Sequence, residues 1–326
     1  MTAIIGILVP IFGLIALGYA AGLKNWFGHG ATDCLNRFVV RVALPAQLFV
    51  ATAQTPGHVL LQPGLLIVFG TGCLLTALLG WVFDWMRPTE RDHRMSGAAI
   101  EGLCAGYSNT AFIGIPVCLA VFGPGSMAAV TIASLLTVCL LFAIAIALVE
   151  FENAGADPAA QRSAAQVLGQ VMLGLLRNPL VFMPLAGGVL NASGIGLAGP
   201  FAATAQLIGS ASSPCALVTI GLFLADTRPG SARSTVRRVP PMAVARLVTL
   251  KLLVQPGVTA MTALAVKMLD RTTFEEAVLL AALPTGTGPF MLAKLYDREA
   301  RVASRAILVS TLLSAVTIAA LLRAFG

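Results

Sequence analysis

Ten apolar stretches, each long enough to cross a bilayer, make up most of this 326-residue chain. A hydrocarbon core roughly 30 Å thick takes about 20 helical residues to span. Inside it every backbone amide and carbonyl needs a partner within the protein, so uninterrupted apolar runs of this length are expected to fold as packed helices. The balance of residues agrees: 57% are hydrophobic and 11% charged, against roughly 25% charged in a soluble domain. The predicted spans cover 2–21, 33–53, 63–85, 95–122, 125–149, 168–193, 200–224, 240–267, 272–296 and 303–325. The first begins at Thr2 without a charged leader or a small-residue cleavage site, and is expected to persist as a mature helix.

The formal net charge of +7 follows from orientation. With the N-terminus outside, Lys24, Arg87, Arg91, Arg94, Arg162, Arg177, Arg228, Arg233, Arg237, Arg238, Lys294, Arg298, Arg301 and Arg305 all fall on the cytoplasmic side. Only Lys267, Arg271 and Arg323 lie outside. Basic residues in short loops favour the cytoplasm, which predicts ten spans with both termini extracytoplasmic and no nucleic-acid partner. The cysteines (Cys34, Cys73, Cys104, Cys118, Cys139, Cys215) have no paired spacing, and His29, His58 and His93 sit in predicted loops away from any ligand cluster. The chain also has no HExxH or GxSxG signature. No metal, cofactor or enzymatic activity is expected.

The polar segment Ala154–Ser163 divides the chain into 1–153 and 164–326, five spans each. Pro45 and Pro214 occupy the second span of each half, each with leucine three positions later (Leu48, Leu217). Pro116 and Pro289 occupy the fourth, at separations of 71 and 75 residues from the first proline. Five is odd, so duplicated halves insert with opposite orientation. Inverted repeats with interrupted helices are a transporter architecture in which the interruptions lie at the substrate site. Proline removes an amide donor and clashes with the preceding turn, and the freed carbonyls persist only where protein or a wet cavity covers them.

Ser108-Asn109-Thr110-Ala111-Phe112-Ile113-Gly114-Ile115-Pro116 resembles a motif of the auxin efflux carrier family. So do Leu35-Asn36-Arg37-Phe38-Val39 leading to Pro45, Arg177-Asn178-Pro179, and Ala282-Leu283-Pro284-Thr285-Gly286 through Pro289-Phe290 to Ala293-Lys294-Leu295-Tyr296, in the same order. The resemblance implies an all-α integral membrane fold similar to that of bile-acid symporters. Two inverted five-helix repeats would carry broken, crossing helices in spans 4 and 9. Spans 1, 2, 6 and 7 would form a scaffold and a homodimer contact, with spans 3–5 and 8–10 moving. It further implies a bacterial inner-membrane carrier of small carboxylates such as malonate or malate, working by alternating access with H+ or Na+ as coupling ion. The alternatives are an auxin-like aromatic monocarboxylate exporter, or an anion channel or receptor of the same fold.

On this reading Asn109 and Thr110 stand at the first break, and Asn109 matches the family's carboxylate-contacting asparagine, an amide donor that adds no charge. Pro116 and Pro289 are expected to start half-helices whose positive ends face the crossing. Thr285 and Gly286 would supply a hydroxyl and close backbone approach at the second break. Asn178 either faces the substrate or caps the helix begun by Pro179. Arg41 is an intramembrane cation where the family has an apolar residue: it either anchors a second carboxylate or snorkels to the boundary. Glu101, inside an apolar span, is the candidate for ion coupling, while Glu275 and Glu276 enter the ninth span from outside.

Overall fold

The structure, a computed structural model, describes residues 2–55, 62–87, 93–155, 164–228 and 239–325. His58, Arg91, Arg162, Arg233, Arg237, Arg238 and the greater part of the polar interruption, 156–163, lie outside the described residues. The described residues form helices and no strand: α1 (Thr2–Leu23), α2 (Ala31–Gln54), α3 (Pro63–Trp85), α4 (Arg94–Gly106), α5 (Thr110–Phe122), α6 (Pro124–Asn153), α7 (Ala164–Arg177), α8 (Pro179–Ala192), α9 (Gly199–Asp226), α10 (Pro241–Val266), α11 (Arg271–Ala281), α12 (Gly288–Leu295) and α13 (Ala300–Phe325). Six of them, α2, α3, α6, α9, α10 and α13, are long and apolar enough to cross a membrane.

Burial reads the same way. In the apolar windows of those six helices only 33% to 50% of residues are inside the protein, and large apolar side chains such as Leu207, Met242 and Val316 are 69% to 77% exposed. A hydrocarbon solvent accommodates that outward face; water would not.

The fourth and ninth predicted spans are both interrupted, α4 from α5 at residues 107–109 and α11 from α12 at 282–287. The sixth is interrupted as well. Asn178 is extended (φ −79, ψ 120), the conformation favoured before a proline, and its side-chain oxygen accepts from the Leu180 amide to cap α8. Three other prolines break nothing. Pro45, Pro116 and Pro256 each follow a π-helical turn by two residues (Val39–Ala43, Thr110–Gly114 and Leu250–Val254), and α2, α5 and α10 run through them. The widened turn accommodates the ring and the missing amide that would clash in a regular helix.

Backbone contact without intervening side chains joins α1 to α9. A Cβ on Gly18 would overlap the Val218 carbonyl, one on Gly221 the Ile15 carbonyl, and one on Gly22 would lie 2.7 Å from the Ala225 Cβ. Small residues permit this approach, and dispersion across it holds helices together where lipid offers no hydrophobic drive.

Candidate functional site

The two long breaks meet. Ser108 and Thr285 form an isolated antiparallel bridge, in which the Asn109 amide donates to the Pro284 carbonyl at 2.9 Å and the Gly286 amide to the Tyr107 carbonyl at 3.1 Å. Each break thereby satisfies backbone groups that the other has freed, the requirement for irregular chain at membrane depth. The contact is tight: a Cβ on Gly286 would lie 2.7 Å from the Tyr107 ring, and one on Gly288 2.6 Å from both Tyr107 and Phe142.

Beside the bridge lies a cavity of about 80 Å³. Its polar lining comes from Gln47 of α2, Ser108, Asn109 and Thr110 at the first break, Ser134 of α6, Ser212 and Ser213 of α9, and Thr287 at the second break. Asn109 is 4% exposed. Its Oδ1 accepts from the Phe112 amide at 3.3 Å and so caps α5, which fixes the side chain and leaves its amide NH2 as the donor at the cavity. Ser134 donates to the Thr110 hydroxyl at 2.8 Å. α5 and α12 both begin here, so two partial positive charges converge on the cavity without a formal cation in its lining.

Asn109, Thr110 and Gly286 are thus brought together on one cavity. Thr285 lies directly behind it, 1% exposed, its hydroxyl donating to the Cys104 carbonyl at 2.9 Å and its amide to Ser310 at 3.2 Å. Pro289 stands in the first turn of α12, as expected of a residue that starts a half-helix, but is not among the residues that line the cavity. Pro116 does not start one. The half-helix begins at Thr110, because Asn109 caps it and the π turn carries the chain on to Pro116, which is absent from the lining. Asn178 is elsewhere: beyond its capping role, its amide donates to the Tyr296 hydroxyl at 3.4 Å, which donates to Glu150 at 3.2 Å. Arg41 is exposed and is not among the cavity residues. It sits on the outer face of the widened turn in α2.

Glu101, 0% exposed, bridges two helices through ion pairs to Arg87 at 3.1 Å and to Arg246 of α10. Arg87 also pairs with Asp84 at 2.9 Å. Glu276 is buried, whereas Glu275 pairs with Arg271 at 2.8 Å near the surface. Lys294 pairs with Asp33 at 2.8 Å.

The charge at the crossing was not among the expected site residues. Lys251, inside the π turn of α10, is 0% exposed, and its Nζ donates to Ser108 Oγ at 2.9 Å, Gln255 Oε1 at 2.5 Å and the Ala281 carbonyl at 2.7 Å. Gln255 in turn donates to the Gly106 carbonyl at 3.1 Å. A lysine at the centre of an apolar run, with a glutamine four residues on, is the signal that could have found it, because charge inside a span is costly.

These features define a polytopic helical membrane protein with paired helix breaks around a small cavity whose largely apolar wall carries hydroxyl and amide groups. The chain belongs to the membrane transport protein family, which is auxin efflux carrier-like, with residues 3–322 matched. It is 30% identical over 99% of its length to a "Putative malonate transporter" of Rhizobium meliloti (strain 1021), covering 96% of that protein. It is 24% identical over 97% of its length to "Uncharacterized transporter YfdV" of Escherichia coli (strain K12), 96% of which is covered. With "Auxin efflux carrier component 8" of Arabidopsis thaliana it shares 21% identity over 95% of this chain and 94% of the relative.

Proposed function

We propose that this protein is a secondary carrier that moves small organic anions, malonate or a similar short carboxylate, across the bacterial inner membrane by alternating access. The observation that carries this reading is the cavity at the Ser108–Thr285 bridge, where Asn109 and two half-helix N-termini supply an anion with donors and positive potential. Size argues for a short acid: about 80 Å³ is several times the ~10–15 Å³ that one water needs, and about half the ~150 Å³ of an engineered cavity that holds benzene. The relative named for malonate is in keeping with a short acid.

In this reading the chain crosses the membrane ten times as two inverted halves, with both ends extracytoplasmic. Spans 1, 2, 6 and 7 form a scaffold that pairs two copies, and H+ or Na+ drives transport with Glu101 as the coupling group. The cavity draws its lining from α2 and α9 on one side and from the first break, α5, α6, the second break and α12 on the other, as a site between a fixed and a moving unit requires. A reporter fused after Gly326 is expected to be active only outside the cytoplasm.

Counterflow in proteoliposomes tests the central reading. Vesicles loaded with unlabelled malonate are expected to take up labelled malonate saturably. Absence of saturable counterflow with malonate, malate, succinate and pyruvate alike, from folded protein, overturns the carrier assignment and leaves a channel or receptor.

A further inference from the structure

The crossing has two electrical faces. α5 and α12 begin at it, and α4 and α11 end at it. Their last carbonyls, Gly106 and Ala281, point partial negative charge away from the cavity's donors and accept from Gln255 and Lys251 respectively. Half-helix C-termini and unwound carbonyls are the places where membrane carriers hold monovalent coupling cations. Here the three oxygens collected at that place, from Ser108, Gln255 and Ala281, all lie within 2.9 Å of the Lys251 nitrogen. Three acceptors match the three protons of an ammonium. No described carboxylate forms an ion pair with it, which sets it apart from Glu101, Arg87 and Arg246. The π turn Leu250–Val254 holds it there, since Lys251 and Gln255 share one face of α10 and close on each other at 2.5 Å.

We propose that Lys251 is a covalently tethered replacement for a coupling cation: its ammonium fills a cage of neutral oxygens that takes a bare monovalent metal ion once the side chain is removed. Ser108 touches this ammonium, and the next residue, Asn109, lines the anion cavity. The group that occupies this place in other carriers comes and goes as a free ion, whereas here it is tethered to the chain. The consequence for transport rests on the proposed anion site: substrate binding in the parent chain needs no sodium, and any gradient acts through another group. The cage itself is independent of what the substrate is.

Thermal unfolding of the full-length chain in detergent, in chloride salts of sodium, potassium or N-methylglucamine at equal ionic strength, tests the cage. The parent protein, its cage already filled, is expected to shift less among the three salts than Lys251→Ala does. Lys251→Ala should lose several degrees in N-methylglucamine and recover them saturably in sodium or potassium, as linkage to a bound ion requires. Lys251→Met, which fills the space without a charge, should lose stability and recover nothing. Malonate affinity in Lys251→Ala should improve at least tenfold on adding the alkali cation. Equal unfolding of Lys251→Ala in the three salts overturns the proposal, and so does a cation-dependent shift in Lys251→Ala that is no larger than the parent's. If Lys251→Ala is not recovered folded, the double variant with Gln255→Glu supplies a charged ligand. Its recovery in sodium and loss in N-methylglucamine supports the cage, and failure of both variants to fold in sodium counts against it. A parent protein that ignores malonate while Lys251→Ala answers to sodium sinks the substrate reading alone.

Discussion

The Asn109 amide donates to the Pro284 carbonyl at 2.9 Å, so the residue that caps one half-helix is held in place by the break in the other. Its backbone is committed to the crossing and its side-chain oxygen to the Phe112 amide. Only the NH2 group is left for a ligand. The position of the donor is set by backbone on both sides, which is how a neutral group becomes a dependable anion contact.

Asn109→Ala is expected to weaken malonate binding by about 1–3 kcal/mol, the range for losing a hydrogen bond to a charged group, or up to roughly a hundredfold. Loss of the cap costs about 1 kcal/mol of stability besides. Asn109→Asp separates the two effects, since it keeps the capping oxygen and faces the substrate with a like charge: stability is retained and binding lost. Isotherms of a folded Asn109→Ala protein that overlay the parent's would remove the crossing as the site.

Gly288→Ala brings a methyl group to 2.6 Å from both Tyr107 and Phe142. Overpacking of this kind costs about 1–3 kcal/mol, read as a drop in unfolding temperature. Tyr107→Leu in the same chain should recover part of it. A strictly additive double-mutant cycle would mean that the crossing yields somewhere else.

Glu101→Gln takes the anion from between Arg87 and Arg246. Breaking a buried pair by removing one partner costs about 3–5 kcal/mol, and if Glu101 carries the coupling ion, transport should also lose its dependence on pH or sodium. Reduced stability with an unchanged ion response assigns Glu101 to joining α4 and α10 and nothing more.

Arg41→Leu is expected to alter stability by no more than about 0.5 kcal/mol, as surface substitutions usually do. Mono- and dicarboxylate binding should change equally little, because the side chain is exposed and off the cavity. A selective loss of dicarboxylates would restore Arg41 as a second anchor.

Helix existence was readable from apolar run length, and the Ser108–Pro116 and Ala282–Pro289 motifs led to both long breaks. Where the chain breaks was less readable, because proline has two outcomes in a membrane helix. Pro179 and Pro289 stand at real helix starts, whereas Pro45, Pro116 and Pro256 are absorbed by π turns two residues upstream. Nothing local in the sequence distinguishes these cases; the difference lies in which neighbouring carbonyls find partners. Arg41 and Lys251 show the same limit for charge. Both are cations inside apolar runs, and only packing reveals that one faces out and the other is sealed at the crossing. Asn109 and Gly286 were legible because their motif brought its own polar context. Thr285 was legible as a member of the crossing, though its hydroxyl turns out to hold the end of α4.

The glycine seam between α1 and α9 has a practical use. Gly18 and Gly221 lie against opposing main chain, so neither helix can advance along the other without driving a larger residue into a carbonyl, and the pair keeps its register through whatever cycle the protein performs. Spectroscopists need such a landmark. Two probes, one on the outer surface of α1 and one on that of α9, are expected to keep a constant separation, a reference against which the spread of any other pair can be read.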